Sequence, residues 1–239
     1  MKDLLFIAGP CAAESKEIIL HSIHQAKKAG LDYLRVSLWK PRTQPGFEGL
    51  GEKGISLLQE TAKAGLNPAT EVMLPEHVTL LIKKVLPVNE SITLLVWIGA
   101  RNQNHIIQRA IAKAAVHPRV RLMVKNQIWH SQKHWEGIIH YVLEGGISRK
   151  KLLVCHRGFA PIGKNQQGYR NIPNFKMAMD VKKITGLPML FDPSHTGGTA
   201  ENVKKLVQEA MRYDFDGLMI EVHPSPKKAL TDAQQQLTW

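Results

Sequence analysis

Residues 188–198 read PMLFDPSHTGG: an apolar stretch runs straight into Asp192, Ser194 and His195 and then reaches two glycines. A strand covered on both faces reads as a continuous apolar run. Ending such a strand in a carboxylate and an imidazole is costly unless those groups meet partners or a ligand. The same design recurs along the chain. Short apolar runs rich in β-branched residues lie at 4–9 (LLFIAG), 33–38 (YLRVSL), 68–72 (PATEV), 93–99 (TLLVWIG), 120–125 (VRLMVK), 151–156 (KLLVCH), 188–192 (PMLFD) and 217–222 (GLMIEV). Amphipathic segments of helical length separate them. Residues 15–29 have Ser15 as an N-cap and Gly30 as a stop, 51–64 end at Gly65, and 131–144 end at Gly145. Eight strands, each followed by a helix, predict an α/β fold, a (β/α)8 TIM barrel. A doubly wound open sheet is the competitor. The first turn, AGPCAAES, lacks the glycine spacing of a dinucleotide fold.

A barrel places its chemistry at the C-terminal ends of its strands. Cys11, Arg35, Glu71, Arg101, Lys125, Arg157, Asp192 and Glu221 stand at or just past those ends. Chemistry divides the polar residues in two. Cys11, His195, Glu221 and Asp232 form a mixed sulfur, nitrogen and oxygen set that suits a divalent ion such as Mn, Fe, Co or Zn. Arg35, Lys40, Arg42, Arg101, Lys125 and Arg157 are cations that would repel one another unless ligands bring several negative charges. The expected ligands are two anionic metabolites, or one large polyanion, beside a metal. Cys155 lies within an apolar run and is assigned to the core.

Composition bounds the rest. The chain has 239 residues, 44% of them hydrophobic, and no apolar run reaches the roughly 18 residues of a membrane span. Its N-terminal apolar run lacks a signal-peptide cleavage region, and two cysteines allow one bridge at most, so the expected setting is the cytoplasm. The net charge of +12 favours anionic partners, but its basic residues are dispersed and no zinc-finger spacing, RNA-binding aromatic motif or basic arm is present. No membrane and no nucleic acid are expected as partners. No linker or composition break divides the chain, so 1–239 is expected to be a single catalytic domain.

Eight motifs occur in order: GPCAAES (9–15), KPRTQP (40–45), TEV (70–72), IGARN (98–102), VKN (124–126), HRGF (156–159), DPSH (192–195) and EVHPSPKKALTDAQQQL (221–237). Together they resemble the 3-deoxy-D-arabino-heptulosonate 7-phosphate (DAHP) synthases of the shikimate pathway, in particular their compact type I-beta branch. The resemblance implies a metal-dependent 3-deoxy-7-phosphoheptulonate synthase, a transferase of aromatic amino acid biosynthesis. Such an enzyme condenses phosphoenolpyruvate with erythrose 4-phosphate. It also implies the metal ligands Cys11, His195, Glu221 and Asp232. Phosphoenolpyruvate is expected at Arg35, Lys40, Arg101, Lys125 and Arg157, and erythrose 4-phosphate at Pro41, Arg42 and Thr43. Catalytic roles fall to Lys40, Glu71 and His195. The resemblance further implies a homo-oligomer, dimer or tetramer, and a barrel without the regulatory or chorismate mutase domain that some relatives carry.

The chain departs from the branch at Thr199 and Ala200, where two arginines are usual. The alternative sugar is arabinose 5-phosphate, used by 3-deoxy-D-manno-octulosonate 8-phosphate synthases; the KPRT segment favours the four-carbon sugar. Three readings from other classes are a class I aldolase with Lys125 as Schiff-base amine, a nucleic-acid-binding protein, and a catalytically dead barrel.

Overall fold

The computed structural model describes residues 4–41, 46–163, 165 and 168–239. Eight parallel strands close into a barrel in chain order: β1 (Leu5–Gly9), β2 (Tyr33–Arg35), β3 (Asn67–Val72), β4 (Leu94–Ile98), β5 (Val120–Lys125), β6 (Leu152–His156), β7 (Met189–Phe191) and β8 (Gly217–Glu221). Closure pairs β1 with β8 in continuous register from Leu5↔Gly217 to Gly9↔Glu221. Seven of the eight predicted apolar runs contain their strand, and β3 starts one residue before its run, at Asn67. The helices are α1 (Lys16–Ala29), α2 (Ile55–Lys63), α3 (Pro75–Lys84), α4 (His105–Ala114), α5 (Gln132–Glu144), α6 (Phe175–Thr185), α7 (Pro193–Gly197) and α8 (Ala200–Ala210).

Local chemistry sets the helix ends. Ser15 accepts a hydrogen bond from the Ile18 amide at 3.3 Å, and Gly30 closes α1 in the left-handed conformation at φ 63°. At the end of α5 the left-handed residue is Gly146, at φ 89°, and not Gly145. The strict alternation of one helix after each strand also fails in two places. Two helices, α7 and α8, follow β7, and a 3-10 turn (Pro226–Lys228) follows β8 where a helix was expected. The reason lies in the final segment, which returns to the barrel mouth. There the Leu237 amide donates to the Glu221 carbonyl and the His223 amide to the Leu237 carbonyl, both at 2.9 Å.

The core has two shells, sorted by the two-residue period of strands. Ile7, Tyr33, Ala69, Leu95, Trp97, Met123, Leu153, Cys155, Leu190 and Met219 fill the barrel interior. Leu94, Val96, Ile98, Val124, Val154 and Phe191 face the helices instead. Continuing the inward period by one step gives Arg35 after Tyr33, Glu71 after Ala69, Lys125 after Met123, Arg157 after Cys155, Asp192 after Leu190 and Glu221 after Met219. The charged residues therefore stand as a polar layer on top of a packed apolar plug.

Candidate active site and metal centre

The polar layer converges on the axis of the barrel. Cys11, Glu221 and Asp232 bring a sulfur and two carboxylate oxygens within 4.8 Å of one another. His195 stands beside them, its Nε2 3.5 Å from Glu221 Oε1 and 4.0 Å from Asp232 Oδ2. The predicted four-residue set thus shares one locus, although the residues come from the β1 end, α7, β8 and the final segment.

These residues suit a divalent cation. Glu221 Oε1 is buried and accepts no hydrogen bond, although the Arg35 guanidinium lies 2.8 Å away. A buried anionic oxygen facing a thiol, an imidazole and a second carboxylate is what a four-ligand sulfur, nitrogen and oxygen site presents to its metal. Asp232 also adopts a left-handed backbone, φ 46°, an uncommon conformation that aspartate tolerates better than most residues. Meanwhile the Lys40 ammonium contacts Cys11 Sγ and lies 2.8 Å from Asp232 Oδ2, so a cation already answers the anionic cluster. Burial, with Glu221 close by, pushes the Cys11 thiol up to about 12. Burial opposes ionisation of Asp232, but Lys40, His195 and Arg170 outweigh it and hold this carboxyl well below the usual range.

The supports of these groups are buried as well. Arg35, 1% exposed, donates from Nε to the Pro10 carbonyl and from Nη2 to the Cys11 carbonyl, which leaves Nη1 as a buried donor without a partner. Its guanidinium lies 5.3 Å from the centroid of Trp97, and Lys125 Nζ lies 5.8 Å from the same ring. Gln235 donates to Glu221 Oε2 at 2.7 Å, Gln236 Oε1 accepts from the Cys11 amide at 3.0 Å, and Ser194 Oγ accepts from the Glu221 amide at 2.9 Å.

A cavity beside this cluster is lined by Lys40, Pro41, Glu71, Gly99, Ala100, Arg101, Lys125, Arg157 and His195. Arg157 is held there by Asn171, whose Oδ1 accepts from Nη1 at 2.8 Å. Burial pulls Arg157 down to about 10, still protonated at neutral pH. Glu71 is pushed up by burial, against the pull of Lys125, Lys40 and Arg35. Its carboxyl occupies the space a side chain at Gly99 would take: a Cβ there would sit 2.0 Å from Glu71 Oε1. Arg35 does not line this cavity; its guanidinium is taken up by the Pro10 and Cys11 carbonyls and by Glu221. Arg42 and Thr43 lie outside the described residues.

Asp192, just past the end of β7, meets partners that offset the cost of burying its charge. Its Oδ1 accepts from the His195 amide at 3.0 Å, capping α7, and its Oδ2 accepts from His195 Nδ1 at 2.8 Å. Burial would raise it, but His195 and Lys125 hold its carboxyl well below the ordinary range. Sequence reasoning placed Asp192 at a strand end without giving it a role, and gave none to Gln235, Gln236, Asn171 or Ser194. For Asp192, Ser194 and the two glutamines the signal was present, since all lie inside the motifs DPSH and DAQQQ.

Thr199, where a relative would carry arginine, caps α8 by accepting from the Asn202 amide at 3.2 Å. Both cysteines are free and buried. Among the described residues no helix is long and apolar enough to cross a membrane.

The chain resembles proteins of known kind over nearly its whole length. It is 32% identical over 233 residues to the phospho-2-dehydro-3-deoxyheptonate aldolase of Thermotoga maritima, which covers 97% of this chain and 64% of that protein. The crystal structure of that organism's DAHP synthase superposes with a TM-score of 0.83 at 31% identity, covering 98% of this chain and 65% of the other. A truncated form of the Thermotoga maritima enzyme gives 0.80 at 29% identity and is covered to 81%. The 2-dehydro-3-deoxyphosphooctonate aldolase of Francisella philomiragia is more distant, 24% identical over 251 residues, with 97% of this chain and 84% of that protein covered. The chain therefore spans just under two thirds of the Thermotoga maritima relative. Residues 2–239 match the family model described as the DAHP synthetase I family, and the chain belongs to that family.

Proposed function

We propose that this barrel condenses phosphoenolpyruvate with erythrose 4-phosphate and water to give DAHP and inorganic phosphate. One observation carries the reading: a thiol and two carboxylates gathered within 4.8 Å, flanked by an imidazole, open beside a cavity lined by two lysines and two arginines. Cys11, His195, Glu221 and Asp232 would hold a divalent cation, Mn, Fe, Co or Zn. When bound, such a cation supplies Lewis acidity toward a carbonyl oxygen.

The protein's own groups do the rest. Arg101, Lys125 and Arg157 hold the phosphate and carboxylate of phosphoenolpyruvate, while Arg35 braces Glu221 from outside the cavity lining. Pro41 lines the cavity, and Arg42 and Thr43, next in sequence, are assigned to the sugar phosphate. Carbon 3 of phosphoenolpyruvate bonds to the aldehyde carbon, water adds at carbon 2, and phosphate leaves from there. Fixed guanidinium and ammonium groups stabilise the charge that grows at carbon 2 without reorganising. Lys40 stays protonated, because Cys11, Glu221 and Asp232 outweigh the effect of its burial, and it donates to the developing alkoxide. Glu71, facing Lys40 and Lys125, orients the incoming water. A Schiff base at Lys125 fits less well, since its amine is bound to Asp192 at 2.5 Å as an ion pair. We further propose that 1–239 acts as a single catalytic domain in the cytoplasm. It assembles as a dimer or tetramer through exposed apolar side chains such as Ile106 and Trp129.

The test is phosphate release from phosphoenolpyruvate with erythrose 4-phosphate or with arabinose 5-phosphate, before and after chelation. Release with the four-carbon sugar, lost on chelation and restored by Mn, is the expected result. Release with the pentose alone would transfer the chain to the octulosonate reading.

A further inference from the structure

Asp192 stands between the two halves of the site. Its Oδ2 accepts from Lys125 Nζ at 2.5 Å and from His195 Nδ1 at 2.8 Å, while Oδ1 accepts from the His195 amide at 3.0 Å. The residue is fully buried, so both bonds lie out of water, where a shared acceptor matters most. With Nδ1–H assigned to the carboxylate, His195 keeps its Nε2 lone pair toward Glu221 and Asp232. Lys125 lines the cavity with Arg101 and Arg157, and His195 borders the same cavity.

We propose that Asp192 is a positioning residue that couples cation binding at His195 to phosphoenolpyruvate binding at Lys125, each ligand raising the protein's affinity for the other. The inference rests on the functional reading above. One oxygen serves two donors, so strengthening one bond weakens the other. A cation on Nε2 makes Nδ1–H a stronger donor and draws Oδ2 toward the imidazole. That loosens Lys125 toward an incoming anion. In reverse, an anion at Lys125 leaves Oδ2 to His195, which becomes the more electron-rich ligand. Linkage requires the two effects to be equal in size. Direct attraction between cation and anion has the same sign. The decisive quantity is therefore the part of the coupling that disappears with the carboxylate.

The experiment titrates the metal-free full chain with Mn2+, following free Mn2+ by electron paramagnetic resonance, with and without saturating phosphoenolpyruvate. The reciprocal titration of phosphoenolpyruvate completes the cycle. In the wild type each ligand is expected to tighten the other about tenfold or more, within the usual range of allosteric coupling. Asp192→Asn should still bind both, but with the mutual factor cut to about threefold or less. An unchanged factor in the variant overturns the proposal, as does a factor of one in the wild type. If Asp192→Asn fails to fold, the 15N-histidine-labelled wild type decides. Phosphoenolpyruvate added without metal should move the His195 Nδ1–H resonance, and an unmoved resonance overturns the coupling. A wild type that binds Mn2+ normally but never binds phosphoenolpyruvate would overturn the functional reading itself, and the coupling with it.

Discussion

Two cysteines with the same burial have opposite roles because of where the strand period leaves them. Cys155 is sealed in the barrel interior with Trp97, Met123 and Leu190, whereas Cys11 lies past the end of β1, against Lys40 and Asp232. Cys11→Ala should therefore cost more metal affinity than the roughly 10–100-fold that follows loss of an outer-shell partner. Cys155→Ala should keep that affinity and cost about 1 kcal/mol of stability for the small void left. Mn2+ titration and urea unfolding of both variants make the comparison, and equal losses of affinity would refute the ligand set. A second residue sets acid stability. His156 is buried among Trp135, Phe159, Phe175 and Phe191, and its Nε2 accepts from the Asn174 amide at 2.9 Å. Burial, aided by Arg157, pulls it down to about 3. The unfolded chain thus binds a proton that the folded chain refuses between about pH 6.5 and about pH 3. Stability must fall as pH drops through that window, by up to about 1.4 kcal/mol per pH unit from this group. His156→Gln should show a shallower slope in urea titrations across the same range, and an unchanged slope would remove His156 as the cause.

At the scale of elements, what was legible followed from periodicity and what was hidden followed from long-range contacts. The eight strands could be read because burial on both faces leaves short, mostly apolar runs whose charged residues gather near their C-terminal ends. Ser15 and Gly30 were readable because capping chemistry is local. The return of the final segment was not readable, since it depends on Leu237 meeting Glu221 and His223, a pairing that no propensity encodes. Thr199 was readable only as a departure from the branch's arginine, because its capping role depends on where α8 begins. The site followed the same division: Cys11, Glu221 and Arg157 were found from their strand-end positions, but Asp192 acquires a role only once Lys125 and His195 are seen on either side of it. The end of β4 offers a sharp test. Gly99→Ala would set a methyl 2.0 Å from Glu71 Oε1 and 3.0 Å from its Cδ, so the carboxylate must move. Misplacement by about 1 Å is enough to lower turnover roughly 100-fold. Melting temperature should change little, because the displaced atoms are the end of one side chain. A variant with wild-type turnover would show that the position of Glu71 does not matter to the reaction.

For the molecule as a whole, the two-shell barrel separates stability from chemistry. The interior plug, from Ile7 around to Met219, is apolar and packed, so it can support a layer of buried charge that would be costly in a thinner fold. Within that layer the proposed metal ligands Cys11, Glu221 and Asp232 gather toward β1 and β8. Arg101, Lys125 and Arg157 occupy the side of β4, β5 and β6. The net charge of +12 then has a use beyond solubility, because it surrounds a cationic mouth with a positive field. Under the proposed function such a field would speed the encounter of trianionic phosphoenolpyruvate over distances comparable to the Debye length, about 30 Å at 0.01 M salt and near 3 Å at 1 M. Raising NaCl across that range should lower kcat/KM for phosphoenolpyruvate by about tenfold or more. It should change kcat much less, since Lys125 and Arg157, two of the groups that hold the bound substrate, are buried where salt does not reach. A glycerol viscosity series at low salt checks that encounter limits the rate. If kcat and kcat/KM instead fell together, salt would be acting on the buried layer, and the distributed lysines would have no part in capturing substrate.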